Sequence, residues 1–152
     1  MNGVKVIFVP YYLDGQDPIF KKTYYDLLIG LDLTIYPSYY EPWGYTPLES
    51  VAFHIPTITT SLSGFGDWVA EKLKVESLKL QGVTVIERND SNYDQVVDQI
   101  VETIEHALRA DQNEMTAARK EAAAIAKKAE WRNFFTAYLS AYDYALRARN
   151  RR

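Results

Sequence analysis

The chain has no cysteine. Disulfides and thiolate metal sites are therefore excluded, and cysteine usage says nothing about compartment. Long apolar runs are also lacking, so no segment reaches the length that spans a bilayer. The first apolar run, Val4 to Val9, is too short for a secretory signal. Histidine is scarce. His54 and His106 read as incidental, one near a helix end and one on a helix face. No Asp/His cluster suggests a metal site. Charge of one sign is lacking too: the formal net charge is −3. Such a chain has no global field that recruits nucleic acid or an acidic membrane. A cytoplasmic protein with neither partner is expected.

Aromatic residues are plentiful: 3 Trp, 12 Tyr and 6 Phe in 152 residues, 47% of them hydrophobic. That length and apolar content suit one packed domain. Strands are predicted at Val4 to Val9, Leu31 to Tyr36, Ile55 to Thr60 and Val83 to Ile86. Helical spacing is read from Ile19 to Ile29, Pro47 to Phe53 and Asp67 to Leu73, with a turn at Ser63 to Gly66. Pro10 to Pro18 reads as a loop. Strands alternating with helices predict a parallel α/β sheet, here over residues 4–90.

Residues 91–149 read as helices and 150–152 as a tail. Val96, Val97, Ile100, Ile104 and Leu108 line one stripe. Trp131, Phe134, Phe135, Tyr138, Leu139, Tyr142 and Leu146 line another. Met115 to Lys128, rich in Ala and charge, is expected to be an exposed helix. Arg147, Arg149, Arg151 and Arg152 are expected to be frayed and solvated. Only four strands are expected, and the first begins almost at the start. The sheet is therefore expected to be truncated on its N-terminal side.

The informative stretch runs Tyr36-Pro-Ser-Tyr-Tyr-Glu-Pro-Trp-Gly-Tyr-Thr-Pro-Leu-Glu-Ser50. It follows a strand and opens a helix, the edge where parallel sheets bind ligands. Thr46 is a good N-cap, Pro47 suits the first helical position, and Glu49 completes a capping box. The amides of Gly44, Tyr45 and Thr46 would then surround the positive end of a helix, a site for a diphosphate. Gly44 permits close backbone approach. Plainer roles compete. On local sequence Glu49 reads slightly better as part of the cap alone, Glu41 equally as a solvated carboxylate, and Trp43 and Tyr24 more simply as core. Local physics alone gives an anion or nucleotide site.

The same stretch resembles the motif of glycogen synthases of the animal and fungal type. Glu41 and Glu49 match the Glu-x7-Glu pair of retaining glycosyltransferases of the GT-B fold. The likeness extends to Val-Lys-Val-Ile-Phe-Val-Pro before it and Ile-Pro-Thr-Ile-Thr-Thr-Ser-Leu-Ser-Gly-Phe-Gly after it. It is strong over residues 4–70. The resemblance implies a three-layer Rossmann-like sheet with C-terminal helices, the C-terminal half of a GT-B enzyme. It implies transfer of glucose, with retention, from UDP-glucose or ADP-glucose to an α-1,4-glucan, with no further cofactor and no metal. Glu41 would hold the donor glucose near its anomeric carbon. Trp43 and Gly44 would line the sugar, and Tyr45 and Thr46 the diphosphate. Glu49 would take the ribose hydroxyls, and Tyr24 would stack on the base.

The chain departs from that family in several places. The N-terminal domain with its acceptor surface, and the Arg and Lys that neutralise the diphosphate, have no counterpart. Val9-Pro10-Tyr11 stands where the family often has His-Pro-Glu. The helix that is Arg-rich in animal and fungal enzymes has only Arg119, Lys120, Lys127 and Lys128. A relative of bacterial or archaeal type is inferred. The isolated chain is expected to be inactive, to lack glucan contacts and to self-associate. The alternatives are a sucrose- or trehalose-making GT-B enzyme, and a non-catalytic nucleotide-binding or assembly module.

Overall fold

A computed structural model describes residues 3–72 and 80–149. Leu73 and the tail 150–152, including Arg151 and Arg152, lie outside the described residues. The chain divides into two compact units, Met1–Leu31 and Asp32–Arg152.

Among the described residues of the first unit, one helix forms: α1, Tyr24–Leu28. It is much shorter than the predicted Ile19 to Ile29, because its start is fixed by Thr23. The Thr23 hydroxyl accepts the Asp26 amide, and the Asp26 carboxylate accepts the Thr23 amide, a complete capping box. Upstream, Asp17 accepts the amides of Ile19 at 3.0 Å and Phe20 at 2.6 Å, which makes a turn of residues expected to be helical. The predicted first strand is not a strand. A strand is defined by ladder bonds to a neighbour, and none forms on Val4 to Val9. Val4, Val6 and Phe8 are exposed.

The second unit opens with β1, Thr34–Ile35, then α2, Tyr45–Ala52, and β2, Thr57–Thr60. Next come α3, Gly64–Lys72, and β3, Val83–Ile86. Three helices follow: α4, Tyr93–Arg109; α5, Gln112–Lys128; and α6, Trp131–Arg149. The sheet has order β1-β2-β3, all parallel. Thr34 pairs with Thr57, and Thr57 with Val83. The fold is α/β with a three-strand parallel sheet and C-terminal helices. The predicted strand over Leu31 to Tyr36 shrinks to two residues, and the one from Ile55 starts two residues late.

Apolar side chains cover both faces of the sheet, since alternate strand residues point to opposite sides. Val83 and Val85 join Val51 of α2, Phe65 and Val69 of α3, and Ala122 and Ile125 of α5. Ile58 and Ile86 meet Val96, Ile100 and Ile104 of α4 on the other side. The central strand β2 is fully buried. A strand buried on both faces is usually aliphatic, yet three of these four residues are Thr. Each hydroxyl has a partner, as burial requires. Thr57 Oγ1 lies 3.0 Å from Ser50 Oγ and 2.9 Å from Thr34 Oγ1, and Thr34 Oγ1 is 2.6 Å from Ser50 Oγ. This buried hydroxyl triad ties α2 to β1 and β2. Thr59 Oγ1 is 3.1 Å from Ser63 Oγ, and Thr60 Oγ1 donates to the Ser38 carbonyl at 2.6 Å.

Three further expectations are corrected. The helix α5 is not exposed: Ala118, Ala122 and Ile125 are buried. Small side chains let its backbone approach, and a Cβ on Gly82 would stand 2.3 Å from the Ala122 nitrogen. The Gly82 amide also donates to Glu121 at 2.7 Å. The aromatic stripe of α6 is the reverse case. Only Phe134 packs on the core. Trp131 instead packs along its own helix, 5.1 Å from Tyr138 and 6.3 Å from Phe135. Leu139, Tyr142 and Leu146 are exposed, because no described element covers that side. Arg147 and Arg149 are helical rather than frayed.

His106 proves not to be incidental. Its Nε2 is 2.7 Å from Glu114 Oε1, and the Leu80 amide donates to that oxygen at 3.3 Å. The hydrogen bond from His106, then that from Leu80, holds the Glu114 carboxyl below its ordinary 4.5. A carboxyl lowered in the folded state stabilises the fold above its ordinary value, and the contribution fades as pH falls through the folded value. Wild type should therefore lose more melting temperature than a Glu114→Gln variant between about pH 5 and pH 3. Parallel melting curves across that window would sink this assignment.

Candidate functional site

Because the strands are parallel, their carboxyl ends lie at one edge. Three loops leave it: residues 36–44 after β1, 61–63 after β2 and 87–92 after β3. Ligands of open α/β sheets bind at such an edge. The first loop is stitched to the second by backbone hydrogen bonds. The Glu41 amide donates to the Leu62 carbonyl at 3.1 Å, the Gly64 amide to the Glu41 carbonyl at 3.0 Å, and the Phe65 amide to the Trp43 carbonyl at 2.5 Å. Glu41 and Ser63 form an isolated parallel bridge.

The helix that follows does not start as predicted. Its N-cap is Gly44, with φ +103°, and no side chain caps it. The left-handed turn at Gly44 brings the next residue, Tyr45, straight into helical conformation. Thr46 and Pro47 are then the second and third helical residues, and Glu49 lies beyond the first turn. The predicted Thr46 cap is therefore replaced by glycine. Pro47 is still tolerated, because a first-turn amide has no intrahelical acceptor. The amides of Tyr45 and Thr46 have none either, and no capping side chain takes them up. Tyr45 and Thr46 are exposed, and Gly44 is buried. A Cβ on Gly44 would meet Pro47 Cγ at 3.1 Å and Glu41 Cγ at 3.5 Å. Gly44 thus keeps the Glu41 side chain close to the helix start.

The amino end of α3 is unlike that of α2, since its amides are consumed internally. Gly64 and Phe65 donate to the first loop, and Gly66 donates to Ser63 Oγ at 2.9 Å. The expected turn at Ser63 to Gly66 is thus the first turn of α3, with Ser63 as its capping side chain.

Among the remaining predicted residues, Trp43 is half-buried in an aromatic cluster. Its ring lies 6.1 Å from Phe65, 6.1 Å from Trp68 and 5.6 Å from Phe134. Glu41 and Glu49 are half-buried. Tyr24 begins α1 in the first unit, its ring 5.3 Å from that of Tyr25.

Sequence reasoning missed the third loop. The Arg88 guanidinium donates from Nη1 to the Pro37 carbonyl at 2.7 Å and lies 5.1 Å from the centre of the Tyr39 ring. The Tyr39 hydroxyl donates to Asp90 Oδ1. That hydrogen bond, together with the Asp90 charge, pushes the Tyr39 hydroxyl above the usual phenol range. A signal was present. Arg88 stands just past a predicted strand, at the ligand edge of a parallel sheet.

Elsewhere, Arg119, Lys120 and Lys127 of α5 line a shallow cavity of about 370 Å³ with His54. Arg119 also pairs with Asp32 at 3.0 Å. His54 has φ +63°, where the chain reverses after α2. Among the described residues, no three His, Cys, Asp or Glu side chains cluster as metal ligands, and no helix is long and apolar enough to cross a membrane.

An α/β domain with a Glu-bearing loop and a glycine-capped helix at the carboxyl edge of its parallel strands is built like the Rossmann-like domains of glycosyltransferases. The family model for glycogen synthase matches residues 1–151. The chain is 32% identical over 146 residues to glycogen [starch] synthase isoform 2 of Saccharomyces cerevisiae, covering 96% of this chain and 21% of that protein. It is 32% identical over 145 residues to glycogen [starch] synthase of Caenorhabditis elegans, covering 95% and 21%. Against the liver enzyme of Mus musculus it is 32% identical over 131 residues, covering 86% and 18%. The chain belongs to the glycogen synthase family, and it spans about a fifth of the length of these relatives.

Proposed function

We propose that this chain binds the nucleotide diphosphate glucose donor of an α-1,4-glucan synthase, with the donor diphosphate at the amino end of α2. The observation that carries this reading is the glycine cap. It leaves the Tyr45 and Thr46 amides without a side-chain acceptor while Glu41 is held beside them. Two amides at the positive end of a helix suit an anion. Family membership supports the choice of a sugar nucleotide among anions.

In this reading the α2 amides receive the charge that develops on the diphosphate as the glycosidic bond breaks. Donors fixed in advance of the reaction stabilise such charge without reorganising. Glu41 orients the donor glucose, and Glu49, one turn into α2, takes the ribose hydroxyls. Trp43 braces the sugar-side wall from within its aromatic cluster. The donor, UDP-glucose or ADP-glucose, is the only small molecule the reading requires. For the chain itself the proposal is donor binding. Transfer of glucose to the glucan, with retention, is proposed as the reaction this binding serves in the cytoplasm.

Calorimetric titration with UDP and with ADP tests the reading. Wild type should bind one of them, and Glu49→Ala should weaken that binding roughly tenfold or more, as loss of a hydrogen-bonded charged group does. If wild type binds neither nucleotide, the reading fails. If Glu49→Ala binds as well as wild type, the role given to Glu49 fails.

A further inference from the structure

We propose that Arg88 is a positioning residue, whose guanidinium fixes the Glu41-bearing loop to the β3–α4 junction. The claim rests on the donor-binding reading above, because that loop is positioned for a donor.

Backbone bonds to other elements hold the loop at its start, where the Tyr36 amide donates to the Ile58 carbonyl at 2.9 Å, and again from Glu41 onward, against residues 62–65. Side chains grip the preceding carbonyls. Thr60 Oγ1 takes that of Ser38, and Arg88 Nη1 takes that of Pro37. Between these grips and Glu41 stand two exposed tyrosines. Tyr39 is pinned twice, by the Arg88 guanidinium at its ring and by Asp90 at its hydroxyl.

Arg88 is itself anchored to the second loop. Its amide donates to Ser61 Oγ at 3.0 Å, and Ser61 Oγ approaches its carbonyl at 3.4 Å. One residue therefore ties together all three loops of the carboxyl edge. The chemistry demands arginine. A planar guanidinium donates in its plane while its face rests on an aromatic ring, and a lysine ammonium has no such face. Asp90 contributes by fixing the ring that the guanidinium meets. None of these three groups contacts the α2 amides in the structure, so their effect on a ligand passes through the loop.

The hydrogen bonds from Arg88 to Pro37 and from Tyr39 to Asp90 lie at exposed places and are individually weak, so the expected effect is local opening rather than global unfolding. The test uses the full chain with Arg88→Gln and Tyr39→Phe. Amide hydrogen exchange is followed at Glu41 and Gly64 in the free protein, with Ile58 and Val85 as core reporters. Arg88→Gln should speed exchange at Glu41 and Gly64 roughly tenfold and leave the core reporters unchanged. Tyr39→Phe should act in the same direction more weakly. A merely structural role would move all four amides together and lower the melting temperature in proportion. Unchanged exchange at Glu41 and Gly64 in Arg88→Gln overturns the proposal, and so does acceleration spread evenly through the core.

Nucleotide titration forms the second arm. If wild type binds UDP or ADP, Arg88→Gln should bind it roughly tenfold more weakly, and equal affinity overturns the proposal. If wild type binds neither, the donor reading fails by itself. The exchange data then decide alone whether Arg88 positions the loop.

Discussion

A Gly64→Ala variant should lose about 1–3 kcal/mol of stability, the range of an overpacked core, and bind nucleotide poorly. On propensity alone the sign would be opposite, because alanine is favoured over glycine inside a helix by about 1 kcal/mol. Geometry reverses it. A Cβ at residue 64 would stand 2.3 Å from the Pro42 carbonyl oxygen and 3.2 Å from Trp43 Cα. Both neighbours are backbone and cannot swing aside as a side chain would. The first loop must separate from α3 instead. That movement strains the three bonds that join Glu41 and Trp43 to Leu62, Gly64 and Phe65. Denaturant unfolding and nucleotide titration of one variant check both halves. Gly30→Ala is the control, with its nearest contact an ordinary 3.4 Å from the Leu27 carbonyl. A Gly64→Ala protein as stable as that control would refute the close-approach argument.

Phe65→Ala carries the other large effect. Phe65 is completely buried and touches both Trp43 and Trp68. Truncating a core phenylalanine costs about 3–5 kcal/mol, transfer and cavity together. Domains of this size hold only about 5–15 kcal/mol in all, so the variant is expected to be marginal at ordinary temperature. The amide of residue 65 survives the change, and its bond to the Trp43 carbonyl with it. Nucleotide binding should therefore persist in whatever fraction remains folded, unlike in Gly64→Ala. A loss below about 1 kcal/mol in chemical denaturation would show that the aromatic cluster closes over the gap.

How far the sequence led depends on what kind of interaction made each element. Val83 to Ile86 was legible to the residue, being a short apolar run bounded by turn residues. The parallel α/β class followed from the alternation of such runs with helical segments. Val4 to Val9 has the same composition as a strand, but composition does not provide a neighbour. The cap at Gly44 was missed because Thr46-Pro-Leu-Glu49 satisfies every local rule for a helix start. Only the left-handed turn, with Pro47, Glu41 and Phe65 crowding the glycine, moves the start two residues earlier. In α5, the alanines that looked like a solvent-facing pattern are the contact surface, because Gly82 lets one backbone lie on another. Arg88 left only its place just past a predicted strand as a signal, and its contacts were missed for a different reason. The Pro37 carbonyl that its guanidinium binds lies 51 residues away in sequence, and no local pattern marks a guanidinium that reaches that far.

The hydroxyl triad of Thr34, Ser50 and Thr57 has a mechanical consequence. Aliphatic side chains at an interface can slide past one another at little loss, because dispersion has no preferred direction. Hydroxyls 2.6–3.0 Å apart cannot, since a shift of an ångström breaks directional bonds in a place where water cannot replace them. The helix whose amino end faces the ligand edge is therefore keyed in register to two strands, with no soft axis along which to twist. Any motion that accompanies a ligand is carried by β1, α2 and β2 as one block, and the compliance of this unit resides in the loops around it.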